Sequence, residues 1–115
     1  MATMEQVRKG LMDYVEKELE PAFAGNMVKQ IAVGAGLEFY MRKKLPGLVE
    51  SLGIAEADGD IDVEMMADVL RRQMQKHPDG LTVELKLNPM NKNDVDVFRF
   101  KAEDVERMKE YIMKA

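Results

Sequence analysis

The sequence predicts an α+β fold rich in helices, and three observations lead to that class. Apolar residues recur at helical spacing through most of residues 1–80, a stretch of strict apolar–polar alternation follows, and the last segment returns to helical spacing. The 115 residues are the size of one ordinary domain with one core. We therefore expect a single domain over 1–115, with a helical part at 1–80 and a hairpin plus terminal helix at 81–115.

Composition excludes several classes of function. The chain has no cysteine and one histidine, His77, which removes disulfides, thiolate metal sites and histidine clusters. A net charge of -4 disfavours a protein whose main role is to cover nucleic-acid phosphates. No apolar run approaches the roughly 18 residues of a membrane span, and the N-terminus has no signal-peptide core. We expect a cytoplasmic, non-enzymatic protein without a cofactor.

A first helix is predicted from Thr3 to Leu19. Thr3 and Gln6 have the spacing of a capping box, and Pro21 stops or restarts the helix because proline is tolerated mainly in a first turn. Its apolar stripe is Val7, Leu11, Tyr14, Val15 and Leu19.

The next helix, Met27 to Leu45, is apolar on two sides, which is typical of a central or interfacial helix. The two rows are Ala24, Val28, Ile31, Ala35 and Phe39, and Val33, Leu37, Met41 and Leu45. Gly34 and Gly36 predict close approach of another backbone, since glycine otherwise weakens a helix. Pro46 is expected to kink or break the helix, and Gly53 to end a short helix that follows.

A third helix begins after Asp62, its predicted N-cap, and Asp68 can pair with Arg71 or Arg72 one turn later. Its stripe is Val63, Met66, Ala67, Leu70 and Met74. The sequence HPDG that follows has proline and glycine at positions that favour a turn.

The hairpin is predicted from LTVELKL, which alternates strictly, and from VDVFRF. In the second strand Val95 and Val97 have one parity, whereas Phe98 and Phe100 have the other. Either a bulge near Val97 redirects the chain, or both faces are covered. A last helix begins at about Ala102, with Val105, Met108 and Ile112 as its stripe.

The acidic stretch EADGDIDVE raises the question of a calcium loop. The candidate calcium ligands are Asp58, Asp60 and Asp62, but neither register that aligns them supplies both ends of an EF-hand cage. A turn at Asp58 and Gly59 followed by the Asp62 cap needs no missing ligand, and it is the predicted structure.

Two basic clusters are candidates for an anionic partner. They consist of Arg42, Lys43, Lys44, Arg71 and Arg72. Side by side, these residues would attract phosphate or an acidic protein surface. Basic residues in the last turns of helices are also ordinary solvated side chains, and that is the reading we favour.

An excess of apolar surface suggests self-association or a protein partner. The chain has 11 methionines, a two-sided apolar helix and a hairpin with open edges. The candidate interface residues are Met27, Ile31, Ala35, Phe39 and Met41.

From MEQVRKGLMDYVEKELEPAF to VFRFKAEDVERMKEYIMKA, the chain is similar in size, acidic helical character and methionine content to small uncharacterised proteins of Gram-positive prophage-like elements. That resemblance implies an accessory, assembly or regulatory role and identifies no site residue. The predicted function is a self-associating, non-enzymatic interaction or assembly module. The alternative is a nucleic-acid-linked regulator that uses the basic clusters.

Overall fold

The fold is α+β. Along the described part of the chain, three α-helices precede a two-stranded antiparallel sheet and one α-helix follows it. A computed structural model describes residues 2–54, 59–77, 79–88 and 90–115 of the chain. Its elements are α1 (Met4–Tyr14), α2 (Met27–Ser51), α3 (Val63–Gln75), β1 (Leu81–Leu85), β2 (Asp96–Phe100) and α4 (Ala102–Lys114). The fold class and the order of elements predicted from the sequence are confirmed.

The first helix begins at the predicted cap and changes type towards its end. The Thr3 hydroxyl accepts a hydrogen bond from the Gln6 backbone N–H at 3.0 Å, whereas the Gln6 side chain donates to the Ile112 carbonyl at 3.2 Å. Only half of the expected capping box therefore forms. After α1 the chain continues as a π-helical turn, Val15–Leu19, and a 3₁₀ turn, Glu20–Phe23.

Helices α1 and α4 approach each other closely at Gly10. A Cβ atom on Gly10 would lie 2.4 Å from the Ile112 Cα and 2.7 Å from its backbone N. The neighbouring Val7 and Ile112 are fully buried. Helix α4 also packs on α3, where Ala67 and Val105 share a small core cluster.

Helix α2 runs through Pro46, so the expected break at that residue is wrong. Pro46 and Arg42 lie on the exposed side, where water can bond the Arg42 carbonyl that proline leaves without a donor. Gly53 does follow the helix end, with φ of +66° and its N–H bonded to the Glu50 carbonyl at 3.1 Å.

The expected close approach at the two α2 glycines is also wrong. A Cβ on Gly36 would meet no atom within 4 Å, and one on Gly34 would meet only a Glu20 carboxylate oxygen at 3.0 Å. Backbone contact at a glycine occurs in α1 instead.

The segment before α3 fastens the N-terminus to the core. Ala2 and Ile61 exchange backbone hydrogen bonds of 3.1 and 2.7 Å, and the Asp62 N–H donates to the Ile54 carbonyl at 3.0 Å. The predicted cap is confirmed, because the Asp62 carboxylate accepts from the Met65 N–H at 3.1 Å. The buried residues of α3 are Val63, Met66, Ala67 and Met74, as the apolar spacing predicts.

The hairpin resolves the parity conflict in the second strand. Its register is continuous from Leu81 paired with Phe100 to Leu85 paired with Asp96, so the pairing contains no bulge. Phe98 and Phe100 pack against the core, while Val97 is 57% exposed. Neither expected solution holds: one parity is buried and the valine parity faces outward.

The turn before the hairpin and the last helix both follow the prediction. The Gly80 N–H donates to the His77 carbonyl at 2.9 Å, and the Gly80 φ of +91° favours glycine; Pro78 of this turn lies outside the described residues. Helix α4 begins where the Lys101 N–H donates to the Asp104 carboxylate at 2.8 Å. Val105 and Ile112 of its stripe are buried.

Candidate functional site

The most conspicuous surface of the described chain is an apolar row on α2, which we call the outer face. It consists of Met27, Val28, Ile31, Ala35 and Phe39. From Val28 onward these residues are spaced three or four apart, so they lie on one side of the helix. Ile31 is 64% exposed and Phe39 is 62% exposed. Large apolar side chains grouped in this way mark interaction sites more often than isolated ones do.

The opposite row of α2, which we call the inner row, holds the helix on the rest of the fold and consists of Val33, Leu37, Met41 and Leu45. Val33 joins the cluster formed with the turns after α1, and Leu45 and Val49 join the cluster that includes α1 and α3. The Asn26 side chain caps the helix by accepting from the Lys29 N–H at 3.1 Å. Because the buried row fixes the helix orientation, the outer face is directed away from the core.

The structure brings four of the five candidate interface residues together. Met27, Ile31, Ala35 and Phe39 all lie on the outer face. Met41 is half-buried and packs against the main core cluster, so it belongs to the inner row.

Polar side chains border the outer face at its C-terminal end. The Lys43 ammonium lies 4.9 Å from the centroid of the Phe39 ring, a cation–π contact. One turn away, Arg42 and Glu38 form an ion pair of 2.8 Å. An apolar centre with a charged rim is the usual anatomy of a protein interface.

The first turn of α2 is tied to the hairpin loop by a charge cluster that the sequence analysis missed. The Lys29 ammonium lies 3.0 Å from the Asp94 carboxylate and 2.9 Å from that of Asp96. The sequence contains one sign of this charge cluster: in the second strand, Asp96 alternates in phase with Phe98 and Phe100 and so lies on the same, inward face. A carboxylate directed inward requires a cation, although the sequence does not show which one.

This cluster perturbs the ionisation of its members. Hydrogen bonds from Lys29 first and from Asn88 second lower the pKa of Asp94 below its usual value of 3.8. Hydrogen bonds to Asp96 and Asp94 raise the pKa of Lys29 above its usual 10.5. The Asp94 contribution to stability is present at neutral pH and is lost as the pH falls through its lowered pKa. The Lys29 contribution is present at neutral pH and is lost above about pH 10.5.

We expect Lys29→Met to lower the melting temperature at about pH 7 and to flatten its acid dependence. The two carboxylates would then repel each other when ionised, so acidification to about pH 3 should cost the variant less than the parent protein. Thermal melts from about pH 3 to 8 provide the measurement. Lys44→Met, which removes an exposed lysine without an ion pair among the described residues, is the control. Parallel curves for the parent and Lys29→Met would contradict the assignment.

Two of the five residues of the basic clusters form ion pairs within the chain. Arg71 pairs with Asp68 and with Glu106 of α4, and these hydrogen bonds and charges raise its pKa. Arg42 pairs with Glu38. The other three residues of the predicted patch are exposed and contact no carboxylate among the described residues: Lys43, Lys44 and Arg72.

The structure describes the acidic stretch EADGDIDVE from Gly59 onward. Asp58, a candidate calcium ligand, lies outside the described residues. Asp62 caps α3, and Gly59 has a φ of +90°, as a turn glycine does. Asp60 lies between these two residues and is half-buried. No group of three or more histidine, aspartate or glutamate side chains suited to a metal ion occurs among the residues that the structure describes.

Two neighbouring apolar cavities lie beneath the inner row of α2, and no sequence pattern predicted them. The first, of about 270 Å³, separates α2 from α3 and α4 and is lined by residues such as Met41, Leu70 and Met108. The second, of about 600 Å³, separates α2 from the hairpin residues Leu85 and Phe98. Packing gaps of this kind depend on how far apart the helices settle, which residue spacing does not specify.

Comparison with known proteins yields no match to a family model, to a curated protein or to a solved structure. Within the described ranges, none of the helices, including the 25-residue α2, is both long and apolar enough to span a membrane.

Proposed function

We propose that the protein is a non-enzymatic interaction module that self-associates through the outer face of α2. The observation that supports this proposal is the exposed apolar row itself, which continues from Met27 to Phe39 on a helix whose other side is packed. Leaving such a row in water is unfavourable by roughly 25 cal/mol per Å², and an interface removes that cost.

A second copy of the chain fits the centre of this row, where Ile31 and Phe39 are placed symmetrically about Ala35. Ile31 and Phe39 lie four residues before and four residues after Ala35. In an antiparallel pair of α2 helices related by a two-fold axis, Ile31 of each copy would lie beside Phe39 of the other. The small Ala35 side chains at the centre would let the two helices approach closely, which strengthens packing of the larger residues on either side.

The test is Ile31→Asp, measured by light scattering across a concentration series. Burying a carboxylate in an apolar interface costs several kcal/mol, so dissociation should become at least about a hundredfold easier. We expect the parent chain to be a dimer and the variant a folded monomer at the same concentration.

Met65→Asp is the matched control, since Met65 is a partly exposed apolar residue of a different helix, 45% exposed. Aspartate is tolerated there because it lies near the positive N-terminal end of α3. A folded Ile31→Asp protein with unchanged mass would rule out the outer face as the interface. A parent chain that is monomeric throughout would rule out self-association.

The nucleic-acid alternative is less well supported, because Arg42 and Arg71 already form ion pairs with carboxylates of the same chain. Phosphate groups would have to compete with these carboxylates for the two arginines. Strong binding of the protein to generic DNA at low salt would nevertheless support the alternative. An accessory role in a prophage-like element, as the resemblance implies, is part of the proposal; self-association is the property that such a role would use.

A further inference from the structure

The two cavities beneath α2 are neighbours, and Leu37, Tyr40 and Phe100 line both of them. Together they reach from the hairpin, beneath the inner row of α2, to the region between α2 and α3, and we call the pair the apolar space. Pockets for small ligands are typically concave and mostly apolar, with volumes of about 300–1,000 Å³.

The few polar side chains that line this space are cationic or neutral. They are Tyr40, Lys86 and Lys109, and no acidic residue lines either cavity among the described residues. The Lys109 ammonium pairs with Glu64 at 2.6 Å, whereas Lys86 is exposed and forms no ion pair with another described residue. A ligand with one anionic end and an apolar body would match this distribution of charge.

We propose that this space binds a fatty acid, with the carboxylate at Lys86 and the alkyl chain beneath α2. The chain would enter beside the hairpin residues Leu85 and Leu87 and pass Leu37 and Phe100 towards Met66. Water gains little from entering so apolar a space, and an alkyl chain restores the dispersion contacts that the facing side chains lack.

Methionine methyl groups provide the readout. Met41, Met66, Met74 and Met108 line the first cavity, while Met27 and Met90 are 72% and 91% exposed elsewhere. In a protein labelled with ¹³C at the methionine methyls, titration with monomeric dodecanoate should give saturable NMR shifts at the four cavity residues. Equal or larger shifts at Met27 and Met90, or no saturation, would overturn the proposal.

Changing the ligand's chain length tests the apolar part of the site, and changing its head group tests the part at Lys86. Removing two methylenes, from dodecanoate to decanoate, should weaken binding by about tenfold, since each buried methylene is worth up to about fourfold. Lys86→Met should weaken dodecanoate binding by about fivefold and leave dodecanol binding unchanged. Lys44→Met, which removes an exposed lysine that lines neither cavity, should change neither.

The outcomes are independent of the proposed dimer. Ile31→Asp should keep its affinity for dodecanoate, because Ile31 lines neither cavity. If Lys86→Met and Lys44→Met lose affinity equally, the carboxylate does not bind at Lys86. If chain length has no effect, the alkyl chain does not occupy the cavities.

Discussion

Replacing Gly10 by alanine is expected to destabilise the fold by about 2 kcal/mol. The new Cβ would lie 2.4 Å from the Ile112 Cα, so α1 and α4 would have to separate. Because the obstacle is backbone, no change of side-chain rotamer relieves it, and overpacking of this kind costs about 3 kcal/mol. The higher helix propensity of alanine offsets about 1 kcal/mol of that loss. Urea denaturation at neutral pH gives the free energy of unfolding directly.

Gly36→Ala is the matched control, because it makes the same change in the interior of another helix. A Cβ on Gly36 meets no atom within 4 Å, so only the propensity gain of about 1 kcal/mol should appear. The two substitutions should therefore differ by about 3 kcal/mol and act in opposite directions. Equal effects would show that contact with α4 does not restrict Gly10.

The contrast between these glycines shows what the sequence can reveal about the fold. Helical spacing identified the stripes of α1, α3 and α4, since one face of each is buried and the pattern records it. A glycine, by contrast, indicates only that a side chain is absent. Whether another backbone occupies that space depends on the helix packing, and for this reason the expectation failed at Gly36 while Gly10 was missed.

Two further differences between the predicted and the observed structure also depend on tertiary structure. A proline at an exposed helix position leaves a carbonyl that water can bond, so Pro46 did not end α2 as its local preference suggested. In β2 both parities are apolar, and the aromatic parity became the buried one because Phe98 meets Phe23, with ring centroids 5.6 Å apart.

The candidate surface was predictable in part. The two apolar rows of α2 were readable from the sequence, but not which row is buried, since Val33 and Ile31 are equally apolar there. The exposed fractions, 1% for Val33 and 64% for Ile31, distinguish the buried row from the exposed one. The pairing of Lys29 with Asp94 and the cavities beneath α2 join residues distant in sequence, which spacing along a single chain does not report.

Ile61→Ala is expected to destabilise the fold by about 3 kcal/mol, the largest loss that we predict. Ile61 has no exposed surface, and its backbone pairs with Ala2 while its neighbour Asp62 bonds to the Ile54 carbonyl. Removing its side chain leaves a cavity where the N-terminus, the end of α2 and the start of α3 meet. Such a site collapses poorly because three separate segments border it. Calorimetric or urea unfolding measures the loss.

A graded series separates this packing role from a role for the acidic stretch in metal binding. Ile61→Val should cost about 1 kcal/mol, Asp62→Ala about 1 kcal/mol through loss of its cap, and Met65→Ala, at an exposed position, less than about 0.5 kcal/mol. If the stretch serves as a turn and helix start, these losses will be the same with calcium and with chelator. A stabilisation by calcium that the loss of Asp60 and Asp62 abolishes would contradict that role. In that case the main role of this segment would be metal binding by the carboxylates, and not packing of the isoleucine between them.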